Sequence, residues 1–210
     1  MEAKKYRLTE NQIKRGEKIL YQIEALKDFG MVKAGDLGGY IESEENLSQD
    51  NDAWVSGNAW VVSNARVSGN ARVSGNAWVD GNAQVSGNAW VYGYARVSGA
   101  AQVSGNAWVY GDAQVSGNAW VYDNARVSGD AEVKSREDYI VFKNWWSSAR
   151  YFTWTRSNNM WKVGCFFGTG KELIKEAYND SDISGREYER IVRYVEEIMG
   201  ENYGNKEKAE

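Results

Sequence analysis

The chain alternates small apolar and polar positions in a pattern that repeats every six residues. From Ala53 the sequence reads AWVSGN, AWVVSN, ARVSGN, ARVSGN, AWVDGN, AQVSGN and continues unbroken to AEVKSR, fourteen hexads ending at Arg136. Alanine occupies every sixth position from Ala53 to Ala131 and valine every sixth from Val55 to Val133, while the residue between them varies among Trp, Arg, Gln and Glu. Side chains on a strand alternate faces, so this pattern predicts short strands that turn Ala and Val inward and the variable residue outward. The Ser-Gly-Asn triplet that follows supplies a turn, because Gly and Asn tolerate the left-handed backbone that β-branched residues refuse.

Three strand-and-turn units of this kind close a narrow triangular coil, three hexads to the turn, lined by small side chains. The fold expected is mainly β: a left-handed parallel β-helix. At V-S-G-N-A-x the chain resembles the hexapeptide-repeat family, whose pattern of an aliphatic residue, a small residue, two variable turn residues and a small inward residue recurs here fourteen times. Residues 53–136 then form about 4.7 turns, roughly 22 Å of stacked strands, and residues 18 apart lie above one another. One corner carries an asparagine column, Asn70, Asn88, Asn106 and Asn124, of the type that stabilises stacked strands. Another reads Asn58, Asn76, Tyr94, Asp112 and Asp130, and Ala100 interrupts the third.

The outward positions sort into three faces: Trp54, Arg72, Trp90, Trp108, Arg126; Trp60, Trp78, Arg96, Gln114, Glu132; and Arg66, Gln84, Gln102, Trp120. Tyr92 and Tyr110 stack beside the first. Six of the ten tryptophans thus point away from the core and offer on the order of 1,000 Å² of apolar surface, more than a monomer usually leaves bare. The terminal segments, self-association, a protein partner or a carbohydrate are the candidate covers.

The flanks differ from the repeat. Residues 10–27 fit a helix (Ile19, Ile23, Leu26) or a hairpin (Ile19, Tyr21, Ile23). Residues 36–43 read as a degenerate first coil, with Ile41 and Leu47 in phase with the inward alanines, so that 1–52 forms an N-terminal cap. Beyond 136 the spacing predicts a small α+β domain over 137–204. Its strands are Tyr139 to Trp146, Arg150 to Arg156 and Met160 to Phe167, with a two-residue turn at Asn158-Asn159. That register pairs Trp154 with Val163, Phe152 with Cys165 and Arg156 with Trp161. It puts Phe152, Trp154, Trp161, Val163, Cys165 and Phe167 on a buried face and Tyr151, Thr153, Thr155 and Lys162 on an open one. Two capping boxes, Thr169-Gly-Lys-Glu172 and Ser184-Gly-Arg-Glu187, open two helices, the second ending at Gly200; residues 205–210 read as a disordered tail.

Composition narrows the chemistry. The chain has no proline and no histidine, and its net charge is −4. Proline is excluded by a hydrogen-bonded lattice. The hexapeptide-repeat resemblance implies an acyltransferase, whose base is a histidine, or a three-histidine zinc site; neither has a residue to use here, and no excursion loop interrupts the coils. A diverged acyltransferase therefore stands only as an alternative, and no catalytic residue, metal or cofactor is expected. Threonine, needed for ice-binding arrays, is absent from the repeat. Cys165 is the only cysteine and is expected to be buried; with no signal peptide or membrane span at the start, a cytoplasmic setting follows. Gly168-Thr-Gly-Lys171 lacks the full phosphate-loop spacing and reads as a capped helix start. From Tyr139 to Gly170 there are four basic residues and no acidic ones, which makes Lys143, Trp145, Trp146, Arg150, Tyr151, Arg156 and Lys162 a candidate surface for an anionic ligand, a nucleotide or nucleic acid.

The DLGGYIES segment at 36–43, the NAxVxG array and the YFTWTRSNNMWKVGCFFGTG stretch at 151–170 together resemble uncharacterised proteins of bacteriophages and prophages of Gram-positive bacteria. That resemblance implies an accessory protein in the bacterial host cell, one that binds a host protein such as an anti-phage defence factor, without membrane association. The expected partner or self-association surface is Trp54, Trp60, Trp78, Trp90, Trp108, Trp120, Tyr92 and Tyr110.

Overall fold

The computed structural model describes residues 4–204, with side chains to Gly200; the tail expected at 205–210 lies outside the described residues. The chain divides into two compact units, Met1–Val141 with Thr155–Asn158, and Phe142–Trp154 with Asn159–Glu210.

Before the coils, the helix-or-hairpin alternative resolves as a hairpin: β1 (Tyr6–Arg15) and β2 (Lys18–Ala25) pair antiparallel about Gly16. β3 (Leu37–Ile41) then joins β2 to the coils through a parallel pairing with Trp60–Val61.

The hexads fold as the alternation requires. Among the described residues, fourteen two-residue strands, β4 to β17, run from Trp54–Val55 to Glu132–Val133. Strands three hexads apart pair in parallel: Trp90 with Trp108, Gln102 with Trp120, Arg96 with Gln114. Successive strands pass through three sheets in turn, giving a β-solenoid of about five turns. Every inward alanine and valine from Ala53 to Val133 is at most 1 % exposed. The corners use left-handed backbone, Gly87 at φ 66° for example, and a Cβ there would meet the amide nitrogen of Gly105 at 2.9 Å. Asparagines stack across coils, the Asn70 amide donating to Asn88 and the Asn88 amide to Asn106, both at 3.1 Å.

Asp123 occupies one of these glycine positions at φ 57°. An aspartate there carries the left-handed strain that glycine avoids, so Asp123→Gly is expected to raise stability by about 0.5–1 kcal/mol, read as a higher urea midpoint.

The turn that leads into the solenoid is longer than the repeat arithmetic implies. Ile41 pairs with Val61 and Leu47 bridges to Val67, so both sit over valines rather than over the alanines that a regular coil would place above them. The 3-10 turn at Glu44–Asn46 keeps the six-residue spacing from Ile41 to Leu47. The two extra residues fall after it, since Leu47 to Val55 spans eight residues where Val67 to Val73 spans six. They are absorbed in the bend at 48–52, where Asn51 has φ 53°.

This segment also terminates the hydrogen-bond ladder. Each coil's amides donate to carbonyls of the next coil, as Trp54 does to Ala71, which leaves the first coil's carbonyls without donors from the repeat. Ala59 receives the Tyr40 amide. Ala65 and Ser63 receive the Asn46 side-chain amide at 2.9 Å each, while the Asn46 Oδ1 accepts the Glu42 and Ser43 amides. Ala53 receives the Lys5 ammonium at 2.9 Å, which also donates to Asn51 and Asp50. At the far end the amides lack acceptors from the repeat. There the Asp138 carboxylate takes those of Lys134 and Ser135, while Ser157 Oγ takes that of Glu132.

After the coils come β18 (Tyr139–Lys143), β19 (Tyr151–Thr155), β20 (Met160–Val163) and β21 (Phe166–Thr169), in that order across one sheet. The meander thus has four strands rather than three. Gly164, at φ 55°, reverses the chain so that Val163 pairs with Phe166. Cys165 therefore lies at an exposed tip, not in a core, and Phe167 is 40 % exposed. Four residues rather than two separate β19 from β20, and with Arg156 in that turn and Cys165 in the next, the expected pairs Arg156–Trp161 and Phe152–Cys165 do not form. Phe152, Trp154 and Trp161 are buried, but so are Thr153 and Thr155.

Helix α1 (Gly170–Asp180) opens on the Thr169–Glu172 capping box. Helix α2 (Asp182–Gly204) starts earlier than Ser184 and runs past Gly200. The Ser181 hydroxyl, not that of Ser184, serves as the cap, accepting the Ser184 amide. Ser184 is buried within the first turn, and Gly185 lies where a Cβ would collide with the Tyr178 ring at 2.2 Å. No helix among the described residues is long and apolar enough to cross a membrane.

Candidate functional site

The regular stacking of coils places outward side chains one strand spacing apart, close enough for rings to stack. On the first face the Trp90 and Trp108 rings lie 5.1 Å apart at 7°. Arg72 and Arg126 close the two ends, with guanidinium carbons 5.9 and 4.6 Å from the ring centres. Beside them Tyr92 and Tyr110 stack in parallel at 4.9 Å, and Tyr92 also meets Trp108 edge-on. Burial raises the Tyr92 hydroxyl's pKa, with Tyr110 adding to the effect. The second face repeats the scheme: Trp60 and Trp78 stack at 4.6 Å and 9°, between Arg15 and Arg96.

These columns are sandwiches of two indoles between two cations, and each contact has a physical basis. Offset or parallel aromatic pairs contribute about 0.5–1.5 kcal/mol beyond burial, and a guanidinium over an indole about 0.5–1 kcal/mol at an exposed site. The sandwiches are also self-covering. Trp60, Trp78 and Trp108 are half-buried, and Trp90 is 38 % exposed, so much of the apolar area expected at the surface is already covered by neighbouring rungs. What reaches solvent is a row of ring edges flanked by positive charge.

Trp54 departs from the expected surface. It is 6 % exposed, with Phe29 and Tyr6 packed edge-on against its ring at 5.4 and 6.4 Å. The N-terminal segment covers this first rung, because its long-range fold brings Phe29 and Tyr6 to the end of the column. Trp120, alone on the third face, is 37 % exposed, with Arg136 over its ring at 4.3 Å.

The basic aromatic candidates after the repeat do not all belong to one unit. Arg156 falls in the first unit, where its amide donates to the Asp138 carbonyl and its guanidinium approaches the Asp138 carboxylate at 3.7 Å. In the second unit, Trp145 is 73 % exposed, Arg150 is exposed and Lys143 lies 5.8 Å above the Tyr151 ring. Trp146 instead packs edge-on against Tyr188 and Phe152, and Lys162 donates to the Cys165 carbonyl across its turn.

One feature was invisible to sequence reasoning. Lys5 is 1 % exposed and borders a cavity of about 670 Å³ lined also by Lys4, Lys27, Phe29, Gln49 and Asp52. Burial pulls its amine down to about 8, opposed by Asp52 and Asp50. Its hydrogen bonds go to three backbone carbonyls, which makes it part of the ladder's termination. No local pattern around Lys5 signals this, since its partners are more than forty residues away. Among the described residues no three His, Cys, Asp or Glu side chains group as a metal site.

Comparison with known families addresses the coils. A family model described as YdcK Beta solenoid repeat matches residues 65–81, 83–99, 101–117 and 113–129. The coil region is similar to the YdcK β-solenoid repeat. The match lies wholly within the hexads, so the similarity to YdcK repeats concerns the inward alanines and valines and the glycine corners, not the flanks. No curated protein matches the chain.

Proposed function

We propose that this protein is a non-enzymatic binding protein whose solenoid presents the Arg-Trp-Trp-Arg columns to a protein partner or to a second copy of itself. The observation that carries the reading is the Arg72-Trp90-Trp108-Arg126 column with its companion Tyr92-Tyr110 pair. The fold does not require these residues, because Gln, Arg and Glu occupy equivalent outward positions in other coils without disturbing the ladder. Aromatic and arginine side chains are also those that dominate protein interfaces. In this reading the coil is left-handed and triangular in section, residues 1–52 are its cap, and the biological setting is a phage accessory role against a bacterial defence factor.

The test exchanges Trp90 and Trp108 for glutamine, the residue found at the outward positions of Gln84, Gln102 and Gln114. Losing one stacked pair and two cation contacts is expected to cost about 2 kcal/mol and to leave the solenoid folded. Sedimentation velocity should show loss of self-association, or affinity capture loss of a bacterial partner. An unchanged sedimentation coefficient together with an unchanged set of captured proteins would reject the reading.

A further inference from the structure

We propose that the cleft formed by Ser104, Trp120, Tyr122, Asp123 and Arg136 binds a guanine nucleotide. Three stacked columns change residue together at this rung. The outward column reads Arg66, Gln84, Gln102, then Trp120; the column after the valines reads Ser68, Ser86, Ser104, then Tyr122; the glycine column reads Gly69, Gly87, Gly105, then Asp123. All three departures line one cleft of about 350 Å³, joined by Arg136 and Ser104. That volume suits a single nucleotide rather than a macromolecule.

The shape of the cleft follows from the column arithmetic. Where two tyrosines occupy adjacent rungs, as at Tyr92 and Tyr110, the rings stack at 4.9 Å. Tyr122 has serine on the rung before it, so the space of one ring is open beside it, and it is 47 % exposed. Trp120 forms the side wall, 5.9 Å from Tyr122 at 51°. A flat ring entering as the missing rung gains a stacking partner, and base–aromatic stacking is effective for any nucleobase.

The polar groups choose among flat rings. Ionised aspartate only accepts hydrogen bonds, and guanine is the base whose pairing edge offers adjacent imino and amino donors. Arginine matches phosphate oxygens. Among the described residues neither Asp123 nor Arg136 has an ion-pair partner; Arg136 is held over the Trp120 ring at 4.3 Å, which fixes its charge at the cleft without neutralising it. Placing an aspartate at φ 57° in a glycine corner is a local departure that ligand recognition explains. The cleft is on a different face from the Trp90 and Trp108 column, so the two proposals stand or fall separately.

Calorimetry on the full chain with guanosine 5′-monophosphate, inosine 5′-monophosphate, guanosine and maltotriose tests this. Saturable binding of guanosine monophosphate is expected, weakened about tenfold or more by Tyr122→Ser. Asp123→Gly should remove the preference over inosine monophosphate, which lacks the amino donor, and Arg136→Gln should remove the preference over guanosine. Tyr122→Ser and Asp123→Gly restore the repeat's own residues, so loss of folding does not obscure the result. Absence of saturable heat with guanosine monophosphate, binding undiminished by Tyr122→Ser, a preference over inosine monophosphate that survives Asp123→Gly, or binding of maltotriose in its place would overturn the proposal.

Discussion

Val103→Asp is expected to prevent the solenoid from folding, whereas Gln102→Asp, one residue earlier, should change stability by no more than about 0.5 kcal/mol. Val103 is fully buried among alanines and valines, and Gln102 is exposed. An aspartate at 103 would have its carboxylate in an apolar interior without a partner, where it must either stay charged at great cost or take up a proton. The coil is narrow and every inward neighbour is small and apolar, so no side chain is at hand to pair it. A loss of more than about 4 kcal/mol follows. Urea unfolding of the two variants, followed by far-ultraviolet circular dichroism, checks both expectations. Comparable stability in the pair would mean that the inward and outward assignment fails.

The second large effect is expected at the 3-10 turn, Glu44–Asn46. Asn46 is fully buried and makes four hydrogen bonds, accepting from the amides of Glu42 and Ser43 and donating to the carbonyls of Ser63 and Ala65. Asn46→Ala leaves two donors and two acceptors without partners at the start of the ladder. Each unsatisfied buried group costs about 1–3 kcal/mol; with partial rescue by water at the part-buried amides, a loss of about 3–5 kcal/mol is expected. Asn46→Asp is a sharper comparison, since it keeps the acceptor for the two amides and replaces the donor that the two carbonyls need. It should also destabilise, and more so as the carboxyl ionises, because a carboxylate then faces two carbonyl oxygens. Equal urea midpoints for wild type and Asn46→Ala would show that the first coil's carbonyls are satisfied in another way.

What could be read from the residues was what the period of six controls. The inward alanines and valines, the pairing of strands three hexads apart and the stacking of Trp90 on Trp108 and Trp60 on Trp78 all follow from one periodicity, because a stacked coil makes distant residues neighbours by simple arithmetic. Arg72 and Arg126 at the ends of the first sandwich follow in the same way. Where the repeat ends, so does that arithmetic. Trp54 carries the same sequence signal as Trp90, yet it is buried because Tyr6 of the N-terminal hairpin and Phe29 just beyond it are brought over its ring, a placement no local pattern encodes. The offset of Ile41 and Leu47 comes from two extra residues in the bend between Leu47 and Ala53, and Lys5 reaches its carbonyls across the whole N-terminal segment. In the C-terminal part, alternation identified Phe152, Trp154 and Trp161 as core. It did not reveal that Gly164 splits one apolar run into two strands and leaves Cys165 at an exposed tip.

The central claim is a division of labour inside the hexad: Ala, Val and Gly make the coil, and the residue between Ala and Val makes the recognition surface. The most direct test is quantitative affinity capture from bacterial lysate, together with solution mass, for three full-length forms. These are the wild type, the Trp90→Gln/Trp108→Gln variant, and a Trp145→Ser/Arg150→Ser variant that alters exposed residues of the second unit. Self-association or capture is expected to be lost in the tryptophan variant alone, with its circular dichroism unchanged. Retention of binding in that variant, or its loss only in the Trp145→Ser/Arg150→Ser form, would contradict the claim.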